Sequence, residues 1–120
     1  MAKICADYMQ AEELRKHGFS EDTTNMFCTE DGGASNFPIC SADGEVYYRR
    51  TWSLGALLEM LPDSISDDKG IWVLSITKKA IEYKHKLFPN IVKVGSSHGD
   101  MVDDACFVLC QLAACGYLNR

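Results

Sequence analysis

The C-terminal segment 100–120 constrains the fold most, because it combines a helix start, an apolar stripe and a helix stop. Asp100 is a suitable N-cap, since its carboxylate can accept a hydrogen bond from an unpaired N–H of the first turn. Asp103 and Asp104 follow where the helix dipole favours anions, and Gly116 stands where a left-handed residue would end the helix. The apolar residues between them repeat at helical spacing: Val102, Ala105, Cys106, Leu109, Leu112 and Ala113. The sequence therefore predicts a C-terminal helix that buries one face.

Two shorter helices are predicted before this one. Residues 8–17 are rich in good helix formers, and Gly18 supplies a stop. In the second helix Ser53 is a suitable N-cap, Trp52 can pack on the first turn, and Pro62 prevents the helix from continuing. Its apolar stripe comprises Leu54, Leu57, Leu58 and Leu61.

Three strands are predicted between the second helix and the last. Residues 71–77 begin with an unbroken apolar run, which is typical of a central strand. Residues 81–87 alternate apolar and polar side chains, as in a strand with one solvated face. After a turn at 89–90, residues 91–94 complete an antiparallel meander, whereas the polar segment 63–70 is predicted to be a loop.

The N-terminal half carries weaker strand signals. Residues 25–28 form a short strand candidate, and the glycine-containing segment 29–36 is predicted to be a loop. The pair Asp43–Gly44 favours a hairpin turn between residues 39–41 and 45–49.

The order of these elements predicts an α+β fold. It would contain a small antiparallel sheet, a meander of about three strands with one further short hairpin, and two or three helices packed on one face. The chain has 120 residues, 47% hydrophobic and 24% charged, which is ordinary for a soluble globular protein. We expect residues 1–120 to form a single domain.

Composition also indicates the compartment. The first residues carry several acids and no continuous apolar run, so we expect no secretory signal, no membrane span and a cytoplasmic location. In a reducing cytosol the six cysteines are expected to be free thiols. No close cysteine or histidine spacing predicts a metal site, and nothing in the sequence indicates a cofactor.

Catalytic candidates follow no recognisable pattern. Cys28 or Cys40 with His85 or His98 would be the members of a cysteine hydrolase site, but no family-type signature surrounds either cysteine. The segment 96–99 resembles a small phosphate cradle, yet the aspartates at the start of the last helix would repel an anion. We therefore expect no catalytic residues.

A basic cluster is the most specific surface signal. Lys78, Lys79, Lys84, Lys86 and Lys93 surround the predicted meander in a chain whose formal net charge is −5. Lysines also occur on solvated strand faces merely to prevent edge pairing. Other candidates for recognition are the pair Arg49 and Arg50 beside Tyr47 and Tyr48, and Phe37 in the segment that follows the glycine loop.

Two segments together resemble small uncharacterised proteins of gut Bacteroidetes and their phages. The first is 51–62, a tryptophan–serine–leucine helix start that ends in leucine–proline. The second runs from Asp103–Asp104–Ala105 to Gly116–Tyr117, and the helix end at Gly18–Phe19 also fits. The resemblance covers about half of the chain. It implies a phage or mobile-element origin and assigns no activity.

These observations favour a non-catalytic binding protein that acts on a protein partner. Lys78, Lys79, Lys84, Lys86, Lys93 and Phe37 are the predicted binding residues. The alternatives are a nucleic-acid-associated protein that uses the basic face of residues 78–93, which the net charge disfavours, and a cysteine–histidine hydrolase.

Overall fold

The computed structural model describes residues 3–37 and 48–118. In these ranges the helices are α1 (Tyr8–Lys16), α2 (Leu54–Met60) and α3 (Met101–Ala114), with a 3₁₀ turn at Glu21–Thr23. The strands are β1 (Met26–Cys28), β2 (Ala34–Ser35), β3 (Arg49–Thr51), β4 (Ser64–Asp67), β5 (Gly70–Ile76), β6 (Ile81–His85) and β7 (Val92–Ser96). They form two antiparallel sheets, ordered β2-β1-β3 and β4-β5-β6-β7. The predicted α+β fold is confirmed.

The helix ends lie where the capping residues predicted them. Ser53 and Asp100 are the N-caps of α2 and α3, and each side chain accepts a backbone N–H of the first turn. Gly116 has φ +80°, and the N–H of Tyr117 reaches back to the carbonyl of Leu112 at 2.9 Å. Gly18 ends α1 with the same geometry. These bonds satisfy carbonyls that a helix end would otherwise leave unpaired.

The four-stranded sheet supplies one wall of the core. Alternate side chains of β4, β5 and β6 point to the same face and are buried, among them Ile65, Trp72, Ile81 and Tyr83. Helix α3 lies against β6 and β7, and α2 packs on α3. Their apolar residues complete one cluster with the sheet and with Leu14 of α1.

The prediction that residues 63–70 form a loop was wrong. Ser64–Asp67 is a strand that pairs with β5, and Ile65 lies opposite Trp72. Because only one large apolar side chain occurs in this strand, its alternation gives almost no periodic signal. The meander therefore has four strands where three were predicted.

The smaller sheet contains the predicted strand at residues 25–28, observed as β1. The predicted loop 29–36 is a turn followed by the two-residue strand β2. Residues 39–41 and the Asp43–Gly44 turn of the predicted hairpin lie outside the described residues. Within the described ranges, β3 pairs with β1 and places Arg49 and Arg50 beside α1.

None of the helices in residues 3–37 and 48–118 has the length and apolarity required to cross a membrane.

Candidate functional surface

The face of the four-stranded sheet turned away from the helices forms the open sheet face, centred on Ile71, Val73, Lys84, Lys86 and Val92. The cross-strand register places Val73 opposite Lys84, and Lys84 opposite Val92. Lys86 extends the same row, since its N–H donates to the carbonyl of Ile71 at 2.9 Å. These residues alternate with the buried ones and therefore share the opposite side of the sheet.

Three aliphatic side chains on this face are unusually accessible. Ile71 is 43% exposed, and Val73 and Val92 are each 41% exposed. The apolar run at the start of β5 predicted a central strand, and β5 is indeed an internal strand of the sheet. Nevertheless, none of the described residues covers the apolar side chains on one face of β5. The apolar run on both faces of this strand was the available signal for this surface, and it was interpreted only as evidence of a central strand.

Lys84 and Lys86 are the predicted binding residues that the structure brings together here. The Nζ of Lys84 lies 3.8 Å from the carboxylate of Glu82, at the outer range of an ion pair. Lys86 is exposed, and no carboxylate of the described residues pairs with it. The open sheet face thus presents net positive charge beside aliphatic surface.

Lys78, Lys79 and Phe37 lie elsewhere. Lys78 and Lys79 occupy the turn between β5 and β6, at the end of the hairpin opposite Lys86. Both are exposed. Phe37 follows β2 of the smaller sheet and is 75% exposed.

Lys93 lies on the helix side of the sheet. The pairing of β6 with β7 shifts by one residue between Tyr83 and Lys84, so that Lys93 is an extra residue in β7. The alternation of side chains between the two faces of the sheet is interrupted at this residue. Its Nζ lies 2.8 Å from the carboxylate of Asp67 and close to the rings of Trp72 and Tyr117. The hydrogen bond from Lys93, followed by one from the Trp72 indole, holds the pKa of Asp67 well below its usual range.

Replacing Asp67 with asparagine is expected to remove an acid-sensitive part of the stability. A carboxyl with a depressed folded-state pKa stabilises the fold above its unfolded pKa, about 3.9, and this contribution is lost as pH falls through the folded value. The variant should therefore be less stable than the wild type at pH 7, and the gap should narrow below about pH 4. Urea unfolding between pH 7 and pH 2.5 measures the difference in stability at pH 7 and its decrease at low pH.

Asp68→Asn is the matched control, because Asp68 is exposed in the same turn and forms no ion pair with a described residue. Its unfolding curve should stay within about 0.5 kcal/mol of the wild type at pH 7. A gap between Asp67→Asn and wild type that stays constant down to pH 2.5 would contradict the assigned ion pair.

Both ring nitrogens of His85 form hydrogen bonds that hold the fold. It is 8% exposed, and its Nδ1 accepts the N–H groups of Leu87 at 3.1 Å and Phe88 at 3.2 Å. With Nδ1 as acceptor, Nε2 carries the proton and donates to the carbonyl of Lys69 at 3.0 Å. Both ring nitrogens are occupied, so that His85 has no free nitrogen for acid–base chemistry.

His98 belongs to a hydrogen-bonded group with Ser96 and Asp104. The buried carboxylate of Asp104, 1% exposed, accepts the Ser96 hydroxyl and the His98 backbone N–H, each at 2.7 Å. Because the single Ser96 hydrogen is directed to Asp104, the hydroxyl oxygen accepts from Nδ1 of His98 at 2.6 Å. The serine is buried with its proton directed away from the imidazole. This arrangement ties the β7–α3 loop to the helix and provides no serine nucleophile.

Four of the five described cysteines are poor nucleophiles, whereas Cys115 is exposed. Burial raises the pKa of Cys5, Cys28 and Cys106, and it raises that of Cys110 to about 11. Such groups remain neutral thiols at physiological pH. No hydrogen bond joins Cys28 to a histidine, and Cys40 lies outside the described residues. Among described side chains no group of three metal-binding residues converges.

A scan of protein-family models, a search of curated proteins and a search of solved structures found no match to this chain.

Proposed function

We propose that the protein is a non-catalytic binding protein whose open sheet face docks on a protein partner. One observation carries the proposal: three aliphatic side chains, each more than 40% exposed, lie in a single sheet face beside two lysines. Apolar surface exposed in a contiguous patch is typical of interaction sites. The lysines select the partner, which should present an apolar centre with a carboxylate rim.

The face of the sheet is a better docking surface than its edges. On one edge, β7 carries the bulge at Lys93, and on the other, β4 has only four residues. Bulges, edge lysines and short edge strands are devices that prevent strand addition. A partner is therefore expected to cover side chains instead of extending the sheet.

The nucleic-acid alternative receives less support from the same geometry. Of the five lysines predicted to contact nucleic acid, two lie on the open sheet face, two lie at a distant turn and one pairs with Asp67. The aliphatic side chains of this face offer no rings for base stacking. The phage or mobile-element origin implied by the sequence resemblance stays a prediction.

Charge reversal at Lys84 and Lys86 is expected to weaken partner binding at least tenfold. The change places two carboxylates opposite those of the partner, so like charges meet in the interface. Immobilised wild-type protein would be used to isolate a saturable partner from host lysate. The affinities of wild type and of Lys84→Glu/Lys86→Glu for that purified partner would then be compared by calorimetry.

Lys78→Glu/Lys79→Glu is the matched control, because it introduces the same charge change at the far turn of the same hairpin. It should reduce affinity less than threefold, since surface charges away from a contact act through screened fields. Val73→Ser tests the apolar half of the face and should also weaken binding. Equal affinity of wild type, the Lys84/Lys86 variant and Val73→Ser would remove the open sheet face as the site.

A further inference from the structure

Three arginines near the smaller sheet each lie over an aromatic ring. The distances from Cζ to the ring centroid are 5.6 Å for Arg15 over Trp52, 3.8 Å for Arg49 over Tyr8 and 5.7 Å for Arg50 over Phe27. A guanidinium within about 6 Å of a ring is attracted to its face, and Arg49 lies at stacking distance from Tyr8. The side chains are therefore oriented before any ligand arrives.

These arginines line one groove of about 740 Å³ between α1 and β3. Among the described residues, its walls contain four cations against two carboxylates, a formal net charge of +2 in a chain of net charge −5. The cations are Arg15, Lys16, Arg49 and Arg50, and the carboxylates are Glu12 and Glu21. Positive charge is thus concentrated in this groove against the sign of the whole protein.

The two carboxylates are already paired with two of the arginines. Arg15 donates to Glu21 at 2.6 Å, and Arg49 donates to Glu12 at 3.3 Å and to the carbonyl of Tyr8 at 3.1 Å. These pairs fix the groove wall, and they leave Arg50 and Lys16 unpaired with the carboxylates that line the groove.

Arg50 and Lys16 are the two cations of the groove that do not pair with its carboxylates. Arg50 is exposed, its Nε donates to the hydroxyl of Thr24 at 3.2 Å, and no described carboxylate pairs with it. Lys16 reaches Glu13 only at 3.6 Å, with both side chains more than half exposed. Both residues line the groove.

We infer that this groove binds a nucleotide, with its phosphate at Arg50 and Lys16. A phosphate carries about −1.5 to −2 charges at neutral pH, which matches the excess charge of the groove. The guanidinium fork suits its geometry. Tyr48 also lines the groove, packed edge-on to Phe27 at a centroid distance of 4.9 Å, and supplies an aromatic surface for a base. This site lies on the smaller sheet and is independent of the open sheet face.

Titration with a fluorescent N-methylanthraniloyl derivative of ADP tests the inference. Binding should saturate and should weaken with added salt. Arg50→Ala/Lys16→Ala should reduce affinity at least tenfold, and Arg50→Lys alone should give a smaller loss because the charge remains without the fork. Lys78→Ala/Lys79→Ala removes the same charge elsewhere and should leave affinity within twofold of the wild type.

Two further probes distinguish the source of the nucleotide. Inorganic phosphate should compete weakly, because it lacks a base. A 5′-phosphorylated ten-residue oligothymidylate that binds more tightly than the mononucleotide would identify the end of a single strand as the ligand, and the reverse order would identify a free nucleotide. Thermal unfolding would verify that the variants fold.

Absence of saturable binding of both nucleotide probes at low salt would overturn the inference. So would binding that Arg50→Ala/Lys16→Ala leaves unchanged in a folded protein. Inorganic phosphate that binds as tightly as the nucleotide would remove Tyr48 from the site and contradict the assignment of the ligand.

Discussion

Trp52→Ala is expected to destabilise the protein by about 3–5 kcal/mol, as truncation of a fully buried tryptophan does. Trp52 is 0% exposed, its indole N–H donates to the hydroxyl of Thr23 at 2.8 Å, and the guanidinium of Arg15 lies over its ring. The side chain thus joins α1, the 3₁₀ turn and the start of α2. Because domains of this size are stable by about 5–15 kcal/mol, the urea midpoint should fall steeply.

Two companion substitutions separate the causes of this loss. Trp52→Phe keeps an aromatic ring but loses the hydrogen bond to Thr23, and it should cost about 1–2 kcal/mol. Leu87→Ala removes a side chain that is 74% exposed and should stay within about 0.5 kcal/mol of the wild type. A Trp52→Ala protein as stable as Leu87→Ala would show that the tryptophan does not hold these elements together.

Capping residues explain why the helices were predictable. Ser53, Asp100, Gly18 and Gly116 act within a few residues of their own position, so that the sequence contains the whole signal. Asp7 was missed as the N-cap of α1, although its partner Gln10 completes a capping box three residues later. That pattern was readable from the sequence.

The errors arose where a residue's environment depends on distant pairing. The bulge that turns Lys93 toward Asp67 follows from the register of β7 on β6, which no local periodicity encodes. Asp104 was predicted only as a favourable charge in the first turn of the last helix. In the fold, the register that places Ser96 opposite Ile81 directs the serine inward and gives this carboxylate a buried partner.

The same limitation applies to the candidate surfaces. Lys84 and Lys86 were predicted from charge alone, whereas Val73 and Val92 join them only through cross-strand pairing. In the arginine groove, Arg49 and Arg50 were visible as a basic pair in the sequence. Their groove partner Arg15 lies 34 positions before Arg49 and enters through the packing of α1 on β3. Both surfaces therefore form only when the fold brings residues from distant segments together.

Gly70→Ala is expected to cost about 2–4 kcal/mol, since it combines backbone strain of about 1–3 kcal/mol with the disturbance of a buried hydrogen bond worth about 1 kcal/mol. Gly70 has φ +135°, where side chains are strongly disfavoured, and it starts β5 directly after the hairpin turn. An added Cβ would lie 2.6 Å from Nε2 of His85, the atom that donates to Lys69. The ring would have to move away from the backbone groups that hold it.

Gly99→Ala is the matched control for this substitution, because Gly99 has φ +89° and no atom lies within 4 Å of an added Cβ. It carries backbone strain alone and should cost about 1–2 kcal/mol. The difference between the two variants in urea unfolding therefore combines the contact with His85 and the greater backbone strain at φ +135°. If both lose the same stability, the packing of His85 against Gly70 contributes nothing, and the position of the β4–β5 hairpin must depend on Trp72 and Asp67 instead.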